Sequence, residues 1–137
     1  MSRRRFGHSL KPLRHSRAWA ALWVLAVAAM VIVSLWSAPD LPQPPGGDKL
    51  HHFLGYFALA ASAVQLFARW PALFGAGLGL VLLGIGLEHA QGVLTETRIA
   101  ERDDALANTL GVIVGLATRL TPWRDLLLRL DGGVDPP

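Results

Sequence analysis

Apolar positions along this chain come in long unbroken stretches, and polar residues collect at their ends. Residues 18–35 carry no charge. As a helix they would span about 27 Å at 1.5 Å per residue, close to the roughly 30 Å of a bilayer's hydrocarbon core. Residues 37–47 (SAPDLPQPPGG) hold four prolines and two glycines, so an extended loop is predicted there, because proline removes the helical donor and clashes with the preceding turn. A second apolar segment covers residues 49–68, ended by Arg69-Trp70-Pro71, and a third covers 72–91. Residues 92–103 are polar, and a fourth segment, 104–120, stops at Thr121-Pro122. In the last piece, 123–130, helical periodicity puts Trp123, Leu126, Leu127 and Leu130 on one face, with Arg124, Asp125 and Arg129 elsewhere. That is the pattern of a short helix lying at a membrane surface. Trp19 and Trp23 near one end of the first segment, and Trp36 at the other, fit an aromatic belt.

The pattern predicts an all-α fold: an integral membrane four-helix bundle with a short C-terminal interfacial helix. It divides the chain into a basic N-terminus (1–17), a four-span domain (18–121) and a tail (122–137). Composition supports this. The 137 residues are 52% hydrophobic and 17% charged, against about 25% charged in soluble domains. A small soluble domain needs more polar surface than that. A cleaved signal peptide would have an apolar core of about 7–15 residues. The first stretch is longer and further spans follow it, so it is expected to remain a span. The chain has no cysteine, which excludes disulfides, thiolate metal sites and cysteine nucleophiles.

The formal charge of +3 is divided unevenly. With four spans, both termini lie on one side. That side carries Arg3, Arg4, Arg5, Lys11, Arg14, Arg17, Arg69, Arg119, Arg124 and Arg129 against three acids, a balance of +7. The other side has three basic and seven acidic residues, a balance of −4. The positive-inside rule then makes both termini cytoplasmic, in an inner, multi-pass membrane protein. The basic N-terminus is read as a topology signal touching anionic lipid, and no nucleic-acid partner is expected.

Helices in lipid approach through small residues. Gly75, Gly77, Gly79, Gly84 and Gly86 in the third segment, and Gly111 and Gly115 at GxxxG spacing in the fourth, are assigned to helix packing. Asp48, His52 and Tyr56 stand four residues apart and share a helical face. Glu88 and Gln91 form an i, i+3 pair, while Asp104, Asn108, Gly111 and Gly115 descend one face from polar to small. Three helices thus bring polar side chains to one depth, below Arg98 on the loop and beside Lys49. Plainer roles compete: Asp48, Asp103 or Asp104 as helix N-caps, His52 bonded to a backbone carbonyl, Tyr56 as a belt aromatic. Glu88 resists a plain role, because a carboxylate within a span costs about 2.5–3.5 kcal/mol at mid-membrane. It needs a donor, and Arg98, Lys49 and His52 are the candidates.

These strings resemble a known family. DKLHHFLGYF (48–57), GLEHAQ (86–91), Arg98 and DALANTLGVIVG (104–115) are similar, in order and spacing, to the VanZ-like membrane proteins. The resemblance covers about residues 37–115 and rests on Asp48, Lys49, His52, Tyr56, Glu88, Gln91, Arg98, Asp104, Asn108, Gly111 and Gly115. It implies a small multi-spanning membrane protein. The family takes its name from a member linked to reduced susceptibility to a lipoglycopeptide antibiotic.

Three functions are open. In the first, Asp48, Lys49, His52, Tyr56, Glu88, Gln91, Arg98, Asp104 and Asn108 line an outer-leaflet site for an amphipathic envelope ligand: a lipid headgroup, a lipid-linked cell-wall intermediate or a lipoglycopeptide. In the second, Glu88, His52 and Asp104 perform acid–base catalysis on a lipid-borne substrate. In the third, the bundle scaffolds a membrane complex. No cofactor is expected. Nor is a metal: the adjacent His51 and His52 diverge by about 100° on a helix, and no H-x-x-x-H pair occurs.

Overall fold

The computed structural model describes residues 9–36, 44–94 and 101–132. The described residues are predominantly helical: α1 (Ser16–Leu35), α2 (Gly47–Leu66), α3 (Trp70–Leu94), α4 (Arg102–Ala117) and α5 (Leu126–Leu130), with 3-10 turns at Thr118–Leu120 and Pro122–Asp125. The four apolar segments correspond to α1 through α4. α1 and α3 are each long and apolar enough to cross a membrane.

Two ends differ from expectation. Gly46 supplies the N-cap of α2, at φ +76°, a left-handed conformation that glycine adopts without a Cβ penalty. Asp48 is therefore a first-turn residue and not the cap; likewise Glu101 occupies the N-cap of α4, with Asp103 and Asp104 in its first turn. These carboxylates still complement the positive end of the helix dipole. The piece 123–130 is not one helix. Pro122 opens a 3-10 turn, in which the Thr121 hydroxyl accepts from the Trp123 amide at 3.3 Å, and α5 starts only at Leu126.

α2 and α4 pack most closely. A Cβ on Gly111 would strike the Phe53 carbonyl, and one on Gly115 would lie 2.6 Å from Ala60 Cβ and 2.7 Å from the Phe57 carbonyl oxygen. Gly84 on α3 admits Asn108 (3.2 Å) and Tyr56 (3.4 Å), and Gly77 admits Leu116. A Cβ on Gly75, Gly79 or Gly86 would meet nothing within 4 Å among the described residues, so no helix contact requires glycine at these three. The buried face of α3 is Leu73, Gly77, Leu80, Gly84, Leu87, Glu88 and Gln91, one stripe at steps of three and four. Around Tyr56, the residues Leu59, Ala60, Leu80 and Val112 form the core.

α1 buries no residue of its own. Trp23, Val27 and Met30 pack against the core, and three side-chain hydrogen bonds add to that contact. The Trp23 indole donates to the Leu59 carbonyl at 2.9 Å and lies edge-on to Phe67, so Trp23 faces the protein and not a lipid belt. The Gln91 amide donates to the Ser34 carbonyl at 2.6 Å. Trp19 donates to Asp131 at 3.1 Å. These pairings align the end of α1 with the end of α3 and the starts of α2 and α4.

At the opposite end, the N-terminal segment is folded into the protein. Lys11 N donates to the Leu66 carbonyl, and Ala68 N to the Ser9 carbonyl, both at 2.7 Å. Lys11 is buried, its ammonium 2.9 Å from Asp125 and bonded to the Arg124 carbonyl. It is thus an internal ion pair and not a lipid contact. Burial lowers the Lys11 pKa, with the Asp125 bond opposing that shift, and the same bond lowers Asp125. Arg119 donates to the Ala68 carbonyl at 2.9 Å and stacks over Trp70, closing the turn between α2 and α3.

Candidate functional site

The starts of α2 and α4 and the end of α3 carry the polar residues singled out in the sequence. His52, one turn into α2, is their centre. Its Nδ1–H donates to Asn108 Oδ1 at 3.0 Å. Glu88 Oε1 lies 3.8 Å from Nδ1. On the other side of the ring, Nε2 lies 3.8 Å from Asp48 Oδ1 and 3.9 Å from Asp104 Oδ2. Glu88, Asp104 and Asn108 are buried, at 6%, 5% and 2% exposure, whereas Asp48 is open to its surroundings.

The donors differ from those expected for Glu88. Lys49 goes instead to Glu101 at 3.0 Å, with Asp104 Oδ1 at 3.7 Å. Glu88 Oε2 accepts from the backbone N–H of Glu101 at 3.4 Å, and the His52 ring nitrogen Nδ1 lies 3.8 Å from its Oε1. Arg98 lies outside the described residues. Asp104 Oδ1 is buried without a hydrogen-bond partner, which is costly for a carboxylate oxygen. Gln91 is buried and turned toward α1 through Ser34. Tyr56 stands one turn below His52 with its ring in the core. His51 and His89 are exposed.

Glu101 is the participant that sequence reading missed. It lies in a polar loop, and its only signal is its position one helical turn before Asp104. Its backbone and side chain tie the start of α4 to Glu88 and Lys49. Among the described residues the site gathers Asp48, Glu88, Glu101 and Asp104 around Lys49 and His52, so acid outweighs base.

A cavity of about 570 Å³ lies elsewhere, between α1, the second half of α2 and α5. Trp19, Trp23, Ala58, Leu66, Leu127 and Leu130 are among its walls. It includes none of the polar residues above.

Comparison with protein-family models, with curated proteins and with solved structures gives no match.

Proposed function

We propose that this chain is a VanZ-like inner-membrane protein of four spans with cytoplasmic termini. Its outer end holds a polar site for the headgroup of an amphipathic envelope ligand: a membrane lipid, a lipid-linked cell-wall intermediate or a lipoglycopeptide. The observation that carries this reading is the convergence of three helices on His52, with Asn108 at 3.0 Å and Glu88 and Asp104 within 4 Å. A buried set of carboxylates, an imidazole and an amide at one end of a helical bundle costs stability, and such sets within spans mark ligand pathways.

The membrane setting is supported by the outer surface. Leu22, Leu25, Ile32 and Val33 on α1, Phe74, Leu78 and Leu82 on α3, and Leu106 and Ile113 on α4 are all exposed. A soluble monomer rarely exposes so continuous an apolar surface. α2 and α4 are less apolar because their first turns carry the site, and they would cross as the most closely packed pair.

The test is native mass spectrometry of the chain released from mild detergent. The wild type is expected to retain a lipid-sized adduct, and Asn108→Ala and Glu88→Gln to lose it while keeping their fold. A wild type that flies without any adduct overturns the reading. Acid–base catalysis is a second reading, favoured by His52 standing between Glu88 and Asp104. It predicts that an envelope-lipid extract incubated with the chain changes in mass, and that Glu88→Gln abolishes the change.

A further inference from the structure

The geometry around His52 points to a divalent metal site. We propose that Asp48, His52 and Asp104 bind one Zn²⁺- or Mn²⁺-class cation at the outer end of α2 and α4.

A neutral histidine has one N–H donor and one nitrogen with a free lone pair. Asn108 Oδ1 can only accept, so its 3.0 Å bond fixes the proton on Nδ1. In the neutral ring that a metal takes, the lone pair is then on Nε2. This is the arrangement of a metal-binding histidine, whose second nitrogen is held by an outer partner that sets tautomer and ring orientation. Nε2 faces two carboxylates, Asp48 Oδ1 at 3.8 Å and Asp104 Oδ2 at 3.9 Å. Both are too long for hydrogen bonds. Both suit a shared ion, because two ligands each about 2.0–2.2 Å from one metal stand at most about 4.4 Å apart. One ligand atom from each of the three residues falls within 4.8 Å of the others. Asp48 is exposed at the helix start and free to close the remaining gap.

A second observation points to the same place. Asp104 is nine-tenths buried, and its Oδ1 has no hydrogen-bond partner. The nearest cation, Lys49, stops 3.7 Å short, held by Glu101. A divalent ion beside Oδ2 would give this carboxylate a closer counter-charge than its ion pair with Lys49 through Oδ1 provides. One imidazole and two carboxylates match zinc or manganese better than soft-ligand metals. Three protein ligands leave positions open for an outside oxygen ligand. The reasons against a metal in the sequence concerned pairs of histidines. Here the ligands are an i, i+4 Asp–His pair and an Asp from another helix.

The cation also resolves a difficulty of charge. A phosphate or carboxylate headgroup would be repelled by Asp48, Glu88, Glu101 and Asp104, and an ion among them offsets most of that charge and offers the headgroup a direct ligand position. That last step rests on the headgroup reading; metal binding does not.

The test uses the full chain, without a histidine tag, stripped with chelator in an uncharged detergent free of added lipid. Zn²⁺ and Mn²⁺ binding is followed by calorimetry and elemental analysis. One ion per chain is expected. His52→Ala, Asp104→Asn and Asp48→Asn should each weaken binding by at least about tenfold, and Asn108→Ala by about 10–100-fold as an outer-shell loss. Lys49→Met should tighten it, since a competing positive charge is removed, a result that a merely structural cluster would not produce. His51→Ala and His89→Ala should leave it unchanged. Should buried-site variants fail to fold, Asp48→Asn and the ¹⁴N imidazole modulation in electron spin echoes of Mn²⁺-loaded wild type still decide. Substoichiometric metal in the wild type, or affinity indifferent to Asp48→Asn with no imidazole modulation, overturns the proposal. Retained metal without retained lipid overturns the headgroup reading alone; retained lipid without metal overturns this one alone.

Discussion

Asp131 shows how single residues tie the N-terminal region to the tail. His15 donates to it twice, from its backbone amide at 2.9 Å and its ring at 2.8 Å, and Trp19 adds a third bond. These bonds, the His15 side chain first, hold the Asp131 carboxyl down at about 2. A free aspartate titrates near 3.9. The folded state thus binds this proton less readily than the unfolded chain. Asp131 contributes stability that is fully present above about pH 3.9 and is lost as the pH falls through about 2. Carboxyl NMR of the chain in micelles should place its midpoint near 2, and His15→Ala should return it toward the free value. Asp131→Asn should lower the melting temperature at neutral pH, with the difference shrinking on acidification. A midpoint at the free value in the wild type would refute the pairing. This link was not legible in the sequence, because His15 and Asp131 stand 116 positions apart. Asp48, His52 and Tyr56 were legible as a set, since helical periodicity alone aligns them.

At the level of elements, glycine separates into two kinds. Gly111 and Gly115 hold α4 against the backbone of α2, whereas a Cβ on Gly79 of α3 would meet nothing within 4 Å among the described residues. Gly115→Ala should destabilise by about 1–3 kcal/mol, as overpacking does. Gly79→Ala has no clash to create and should gain up to about 1 kcal/mol from helix propensity. Unfolding by SDS in mixed micelles measures both. Equal losses at the two positions would mean that the α2–α4 contact is not as close as described. GxxxG spacing announced the first pair in the sequence. Nothing in the sequence distinguished Gly79 from Gly77, because that depends on which face of α3 meets α4. The tail makes a similar point. Its amphipathic period was visible, but the break into a 3-10 turn and α5 follows from the Pro122 and Thr121 cap, which periodicity ignores.

For the whole molecule, the alignment of the helix ends places the acidic cluster at one end and Lys11, Arg119 and Arg124 at the other. This is the sense of the charge division along the chain, and under the proposed topology the acidic end faces outward. The absence of cysteine makes a direct test simple. A single cysteine at exposed Asp103 should react with an impermeant maleimide on intact cells. One at Arg129 should react only after permeabilisation. Labelling of both from the same side would overturn the topology.

The sequence by itself determined the helical class, the number of long apolar segments and the charge asymmetry, and its period aligned Asp48 with His52 and Asp104 with Asn108. All of these depend on hydrophobic run length, on proline and glycine, and on a helical period of 3.6, which are local properties. Only tertiary structure decided the partners. Helix rotation and axial stagger turned His52 toward Asn108, gave Lys49 to Glu101 rather than Glu88, buried Lys11 against Asp125 and left one Asp104 oxygen unbonded. Those outcomes depend on a few ångströms of packing between distant segments, and a one-dimensional pattern carries no record of them.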